Sequence, residues 1–233
     1  DSKVSRGLGD VYKRQILLIG ASSDIAIEFF KKHNSNYNLI RLSSNPDFSD
    51  VANFNLQDED TFIDVNEIDG IIYFPGSINL KPFKRLKIEN FQEDFDINVI
   101  GLIKVLKFYE SRLSEKSSLV FISTVAANLG MPFHSSVSIS KSAVEGLTKS
   151  LAAEWAPKVR VNCIAPSLVE TKLAKRFFRT DDQKEMMNQK HPLKRTGLPK
   201  DIVNALDFLI SNKSSWISGQ ILNVDGGMST LKI

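Results

Sequence analysis

ILLIGASSDIAIEFF, residues 16–30, is the stretch on which the fold turns. Its opening, ILLIG, is an unbroken apolar run, the pattern of a strand covered on both faces. Gly20 permits a tight turn. DIAIEFF then brings apolar residues back at helical spacing. A strand, a glycine turn and a helix in that order leave backbone N–H groups and the positive helix end facing outward, where an anion such as a pyrophosphate is favoured. Ser22 and Ser23 can offer hydroxyls to phosphate or ribose. Taken alone, the stretch fits an ordinary strand–helix loop better than a phosphate site.

The same alternation runs through the rest of the chain. Strands are expected at NLIRLS (38–43), VANFNL (51–56), GIIYFPG (70–76), SLVFIST (118–124), VRVNCIAP (159–166) and ILNVDGG (221–227). Helices are expected at 24–33, 88–113, 136–156 and 200–211. In the second of these, Phe91, Phe95, Val99, Leu102 and Leu106 form one apolar stripe. Strands that alternate with helices imply parallel pairing through right-handed crossovers. The expected architecture is a doubly wound, Rossmann-type α/β fold: a seven-stranded parallel sheet flanked by helices on both faces. No linker or repeat divides it, so residues 16–233 read as one domain.

Composition narrows the function classes. The chain has 233 residues, 42% apolar and 24% charged, with a single cysteine, Cys163. One cysteine excludes a disulfide framework and a thiolate metal cluster. His33, His134 and His191 lack metal-ligand spacing, so no metal is expected. Residues 1–15 read as a non-native or disordered tail, because DVYKRQ resembles the translation of a sequencing adaptor. Lys3, Arg6, Lys13 and Arg14 against Asp1 and Asp10 supply most of the net charge of +3. Nucleic-acid and membrane partners are therefore not expected. The lack of an export signal points to the cytoplasm.

Several motifs together resemble the short-chain dehydrogenase/reductase family, over about residues 16–230. Gly20 opens the family's Gly-x-x-x-Gly-x-Gly, with Asp24 and Ala26 at the later glycine positions. Tyr73-Phe74-Pro75-Gly76 stands where the family has Asn-Asn-Ala-Gly. Asn98 in FDINVIG, Thr124 in FISTVAA, Lys141, and Pro166 with Thr171 match further motifs, and Ser167 replaces a glycine. GLPKDIVNALDFLISNKSSWISGQILNVDGG matches the family's C-terminal stretch almost throughout. The resemblance implies hydride transfer between a nicotinamide and a carbonyl or alcohol carbon of a small molecule. It also implies a homodimer or homotetramer built through 88–113, 136–156 and the last strand.

By the same resemblance, a catalytic tyrosine belongs four residues before the lysine, on the same helix face. That position is Val137, and Thr124 lies thirteen residues earlier, the family's interval. The expected catalytic set is Asn98, Thr124 and Lys141, with His134 as a substitute proton donor or a loop histidine without a role. The resemblance gives Gly20, Ser22, Ser23, Asp24, Ile25, Ser43, Asn55, Leu56, Gly76, Lys141, Pro166, Val169 and Thr171 as cofactor neighbours. Asp24 either repels the cofactor phosphates or only decorates the helix start. Ser43-Ser44-Asn45 brings no acid for a ribose, and Arg41 is near, though on an alternating strand it either reaches the site or faces away from it; NAD or NADP is expected, with a slight lean to NADP. A non-catalytic, dinucleotide-binding subunit is the alternative reading. Residues 168–196, with Lys172, Lys175, Arg176, Phe177, Phe178, Arg179 and Lys190, read either as a substrate-covering segment suited to an anion with an apolar part or as a solvated helix.

Overall fold

The computed structural model describes residues 12–45 and 50–232. Most of the expected tail, residues 1–11, lies outside the described residues. Residues 12–15 are engaged with the sheet: the Tyr12 hydroxyl donates to Asp69 Oδ2 (2.7 Å), and the Gln15 N–H donates to the same oxygen (2.8 Å).

Seven parallel strands form one sheet: β1 (Gln15–Ile19), β2 (Asn38–Ser43), β3 (Val51–Asn53), β4 (Ile68–Tyr73), β5 (Leu113–Ile122), β6 (Val159–Pro166) and β7 (Ile221–Val224), in the order β3-β2-β1-β4-β5-β6-β7. The strands are continuous apolar runs because both faces are covered. Ile16 and Leu18 of β1 pack with Ile72, Val120 and Ile164 on one face. Leu17 and Ile19 pack with Ile71, Leu119, Phe121 and Val161 on the other. Period-two alternation thus divides each strand between two cores. Helices α1 (Asp24–His33) and α6 (Pro199–Ile210) cover the first face. Helices α3 (Gly101–Tyr109) and α4 (Ser135–Trp155) cover the second.

Several boundaries differ from the sequence reading. The third strand stops at Asn53 rather than residue 56. β5 starts at Leu113, not 118, because Leu113 pairs with Ile68 ahead of an irregularity in the β4–β5 register. The expected 88–113 helix is two helices, α2 (Ile88–Phe95) and α3, joined by a π-helical step at Asp96–Ile100, and it ends at Tyr109. At that step the Tyr73 hydroxyl donates to the Ile97 carbonyl (2.6 Å), satisfying a group the altered ladder exposes. Gly101 is needed beside it, since a Cβ there would sit 2.8 Å from the Tyr73 oxygen. A further helix, α5 (Asp181–Gln189), lies within the segment that follows β6.

The end of α6 is finished from the sheet. Arg160 of β6 donates to the carbonyls of Leu209, Ser211 and Ile217 and to Ser214 Oγ, at 2.8–3.3 Å. The orphan carbonyls of a helix C-terminus thereby gain a cation, the sign the helix dipole favours there.

Candidate functional site

A cleft of about 1330 Å³ runs along the carboxyl ends of the strands. β1 and β4 are neighbours there while β2 lies on the other side of β1, which is the switch point where ligands gather in such sheets. The volume exceeds the roughly 300–1,000 Å³ of a single small-ligand pocket.

At its nucleotide end, Gly20 adopts φ +79°, a left-handed conformation that suits glycine. A Cβ there would meet Pro75 Cδ at 2.9 Å, so the turn is closed from the β4 side as well. Ser23 caps α1, its hydroxyl accepting the Ala26 N–H. Ser22 and Ser43 share a hydroxyl contact of 2.9 Å. Asp24 stands in the first turn of α1, as expected, and also makes a contact the sequence did not suggest. Its Oδ2 accepts the backbone N–H of Lys172 at 2.5 Å, across the cleft and 148 residues away in sequence. Arg41 does not line the cleft: its guanidinium is bound to Asp50 at 2.7 Å and stacks over Phe30. It lends no support to a preference for NADP. Every residue expected on the cofactor side, from Gly20 to Thr171, lines the cleft.

At the chemical end, Thr124, His134, Val137 and Lys141 line one wall. Thr124 begins a short helical turn, its Oγ1 accepting the Ala126 N–H, which leaves its own proton for a ligand. His134 sits just before α4, its Nδ1 2.7 Å from the Pro132 carbonyl. A carbonyl only accepts, so Nδ1 carries a proton in that contact. Lys141 is buried. Its Nζ donates to the Ile122 carbonyl (2.9 Å), and burial pulls its pKa from 10.5 down to about 8, against the opposing charge of Asp94. Tyr73 is also buried, its hydroxyl committed to Ile97, so it offers the cleft no proton.

Asn98 does not line the cleft. It is fully buried behind the wall, accepting the Ser77 N–H through Oδ1 (3.4 Å) and donating through Nδ2 to Ser140 Oγ (3.1 Å). One helical turn earlier lies Asp94, also fully buried. Its carboxylate accepts from Ser77 Oγ (2.6 Å), Asn79 Nδ2 (3.0 Å) and Ser136 Oγ (2.6 Å). This network ties the loop after β4 to the start of α4. The sequence reading missed Asp94; its spacing of four from Asn98 was the available signal.

A second missed group is His191, 3% exposed, whose Nε2 lies 2.9 Å from Ser167 Oγ and whose Nδ1 lies 2.8 Å from the Met187 carbonyl. Both residues line the cleft, as do Lys172, Arg176 and Lys190. Among the described residues, no group of three or more His, Cys, Asp or Glu side chains could hold a metal ion. No helix is long and apolar enough to cross a membrane.

Comparison with known proteins agrees with this geometry. The family model described as enoyl-(acyl carrier protein) reductase matches residues 47–229. Tropinone reductase-like 3 of Erythroxylum coca is 38% identical over 133 residues, which are 57% of this chain and 52% of that protein. The chain thus spans about half the length of this curated relative. A short chain dehydrogenase family protein of Francisella tularensis superposes with a TM-score of 0.87 at 25% identity, covering 94% of this chain and 100% of that one. Ligand-free aldohexose dehydrogenase of Thermoplasma acidophilum gives 0.87 at 26% identity, covering 97% and 98%.

Proposed function

Since this chain belongs to the short-chain dehydrogenase/reductase family, we propose that it is an NAD(P)-dependent oxidoreductase of a small carbonyl or alcohol substrate, with a proton donor other than tyrosine. The observation that carries the reading is the shared wall: Thr124, Val137 and Lys141 face the same cleft as the Gly20 turn. The residues present fit a dinucleotide. The N-terminus of α1 opens into the cleft, and Lys141, Lys172, Arg176 and Lys190 line it against the single carboxylate of Asp24. Gly20, Ser22, Ser23 and Ile25 would hold the pyrophosphate. Ser43, Asn55 and Leu56 would hold the adenosine, and Gly76, Lys141, Pro166, Val169 and Thr171 the nicotinamide end. Ser43 and Ser44 bring no carboxylate to the cleft at the end of β2, which favours NADP.

When bound, the dinucleotide supplies or accepts a hydride. The chain's own groups handle the oxygen and the proton. The Thr124 hydroxyl donates to the substrate oxygen, while Asn98 and Asp94 hold the wall in place. Lys141, with a pKa of about 8, binds ribose hydroxyls as an ammonium and can release a proton near neutral pH. His134, with Nδ1 fixed on Pro132, presents Nε2 as the substitute donor once protonated. The exposed Ile100 and Ile139 support a homodimer or homotetramer through α2–α4.

Two observations favour a second reading, a non-catalytic dinucleotide-binding subunit: the aliphatic Val137, and the carboxylate of Asp24 at the pyrophosphate turn. One panel separates them. NADH and NADPH binding, reduction of a broad carbonyl set, and the same assays on Val137→Tyr are measured together. Turnover by the natural sequence with NADPH preferred is expected. Binding without turnover, with activity gained in Val137→Tyr by about 10²–10⁴-fold, supports the subunit reading. No heat with either dinucleotide refutes both.

A further inference from the structure

The half-buried Ser167 and the buried His191 are a pair for which the oxidoreductase reading has no use. The Met187 carbonyl only accepts, so His191 carries a proton on Nδ1. With a neutral ring, Nε2 accepts from the Ser167 hydroxyl at 2.9 Å. Rotation of the hydroxyl about the Cβ–Oγ bond turns the same proton from the ring to a ligand. Met228 Sδ, 2.9 Å from the same oxygen, is only a weak competing acceptor. The pair therefore sets a hydroxyl donor beside an imidazole at the cleft wall. A glycine at 167 would have no hydroxyl to offer.

The surroundings match that chemistry. Lys190 adjoins His191 in sequence and lines the same cleft, whose four lysine and arginine side chains face the lone carboxylate of Asp24. That carboxylate already accepts the Lys172 N–H. Leu168, Phe177, Met187 and Met228 supply an apolar wall around the pair. An anionic head with a hydrocarbon tail satisfies both halves: charge-assisted hydrogen bonds for the head and burial for the tail.

We propose that Ser167, His191 and Lys190 form an anchoring subsite for a carboxylate, and that the substrate is a carboxylic acid with an apolar chain. The word substrate rests on the oxidoreductase reading; the subsite does not. Octanoate, which has no reducible carbonyl, is titrated calorimetrically into the full chain, with 1-octanol as its neutral match. Octanoate is expected to bind at least tenfold more tightly than 1-octanol. Ser167→Gly and His191→Phe are each expected to bring octanoate down to the level of 1-octanol. Lys190→Gln, at an exposed position that folding does not depend on, is expected to weaken octanoate severalfold and flatten its salt dependence. Equal affinities in the natural chain, or an unchanged octanoate preference in Lys190→Gln and Ser167→Gly, overturn the proposal. Because octanoate is not turned over, these outcomes stand whether or not the chain reduces any carbonyl. A chain that binds neither dinucleotide but prefers octanoate refutes the earlier reading and leaves this one intact.

Discussion

Replacing Lys141 with methionine should make the protein more stable at neutral pH while impairing its site. The Lys141 ammonium is buried, and its pKa falls from 10.5 to about 8. A cationic group whose folded pKa lies below its unfolded value opposes folding wherever both states are charged. The cost is therefore full below pH 8 and is relieved between pH 8 and 10.5. The shift corresponds to about 3 kcal/mol at pH 7. Removing the bond from Nζ to the Ile122 carbonyl returns about 1 kcal/mol of that, leaving a net gain of about 2 kcal/mol. For a chain of this size the melting temperature should rise by about 4–8 °C at pH 7. The advantage should shrink above pH 8 and vanish near pH 10. Calorimetric melts of both proteins from pH 6.5 to 10 measure it. A melting temperature lowered at pH 7, or a difference that does not change with pH, refutes the account of a charge held at a cost for its chemistry.

Two further perturbations test other parts of the structure. Asp94→Ala removes an acceptor shared by Ser77, Asn79 and Ser136 and should cost about 3–5 kcal/mol in urea unfolding, with Asp94→Asn milder; a loss under about 1 kcal/mol would show the network to be incidental. His33 is buried against Phe29 and Tyr37, and burial lowers its pKa. The unfolded chain therefore takes up a proton first, and stability should fall as pH drops through about 6.5. His33→Phe should flatten the stability profile between pH 7 and 5, and an unchanged slope would assign the acid sensitivity elsewhere.

Much of the fold was legible because each central strand is buried on both faces and so reads as an unbroken apolar run. The start of β5 was hidden because Ser114-Glu115-Lys116-Ser117 is polar and is held by partners distant in sequence: Ser114 by Asp69, Lys116 by the Lys158 carbonyl and Ser117 by its pairing with Val159. The break in the 88–113 helix was hidden because the apolar stripe continues through the π step, and the step is set by Tyr73, far away in sequence. At the site, residues at strand ends and turns were readable from position. Asn98 is buried behind the wall, a position its place in an apolar stripe could not specify. His191 and Asp94 carry no local signal of burial, since what buries them comes from other elements. For Arg41, strand alternation left two orientations open, and its position alone says nothing of Asp50, which captures it away from the cleft.

The contact between Asp24 and the Lys172 backbone turns an open trough into a loop of chain closed on itself. The first turn of α1 and the segment after β6 are clasped over the strand ends as two halves of one collar. A long ligand laid along those ends must thread beneath the clasp or part it, and any molecule that parts it at one end loosens the other.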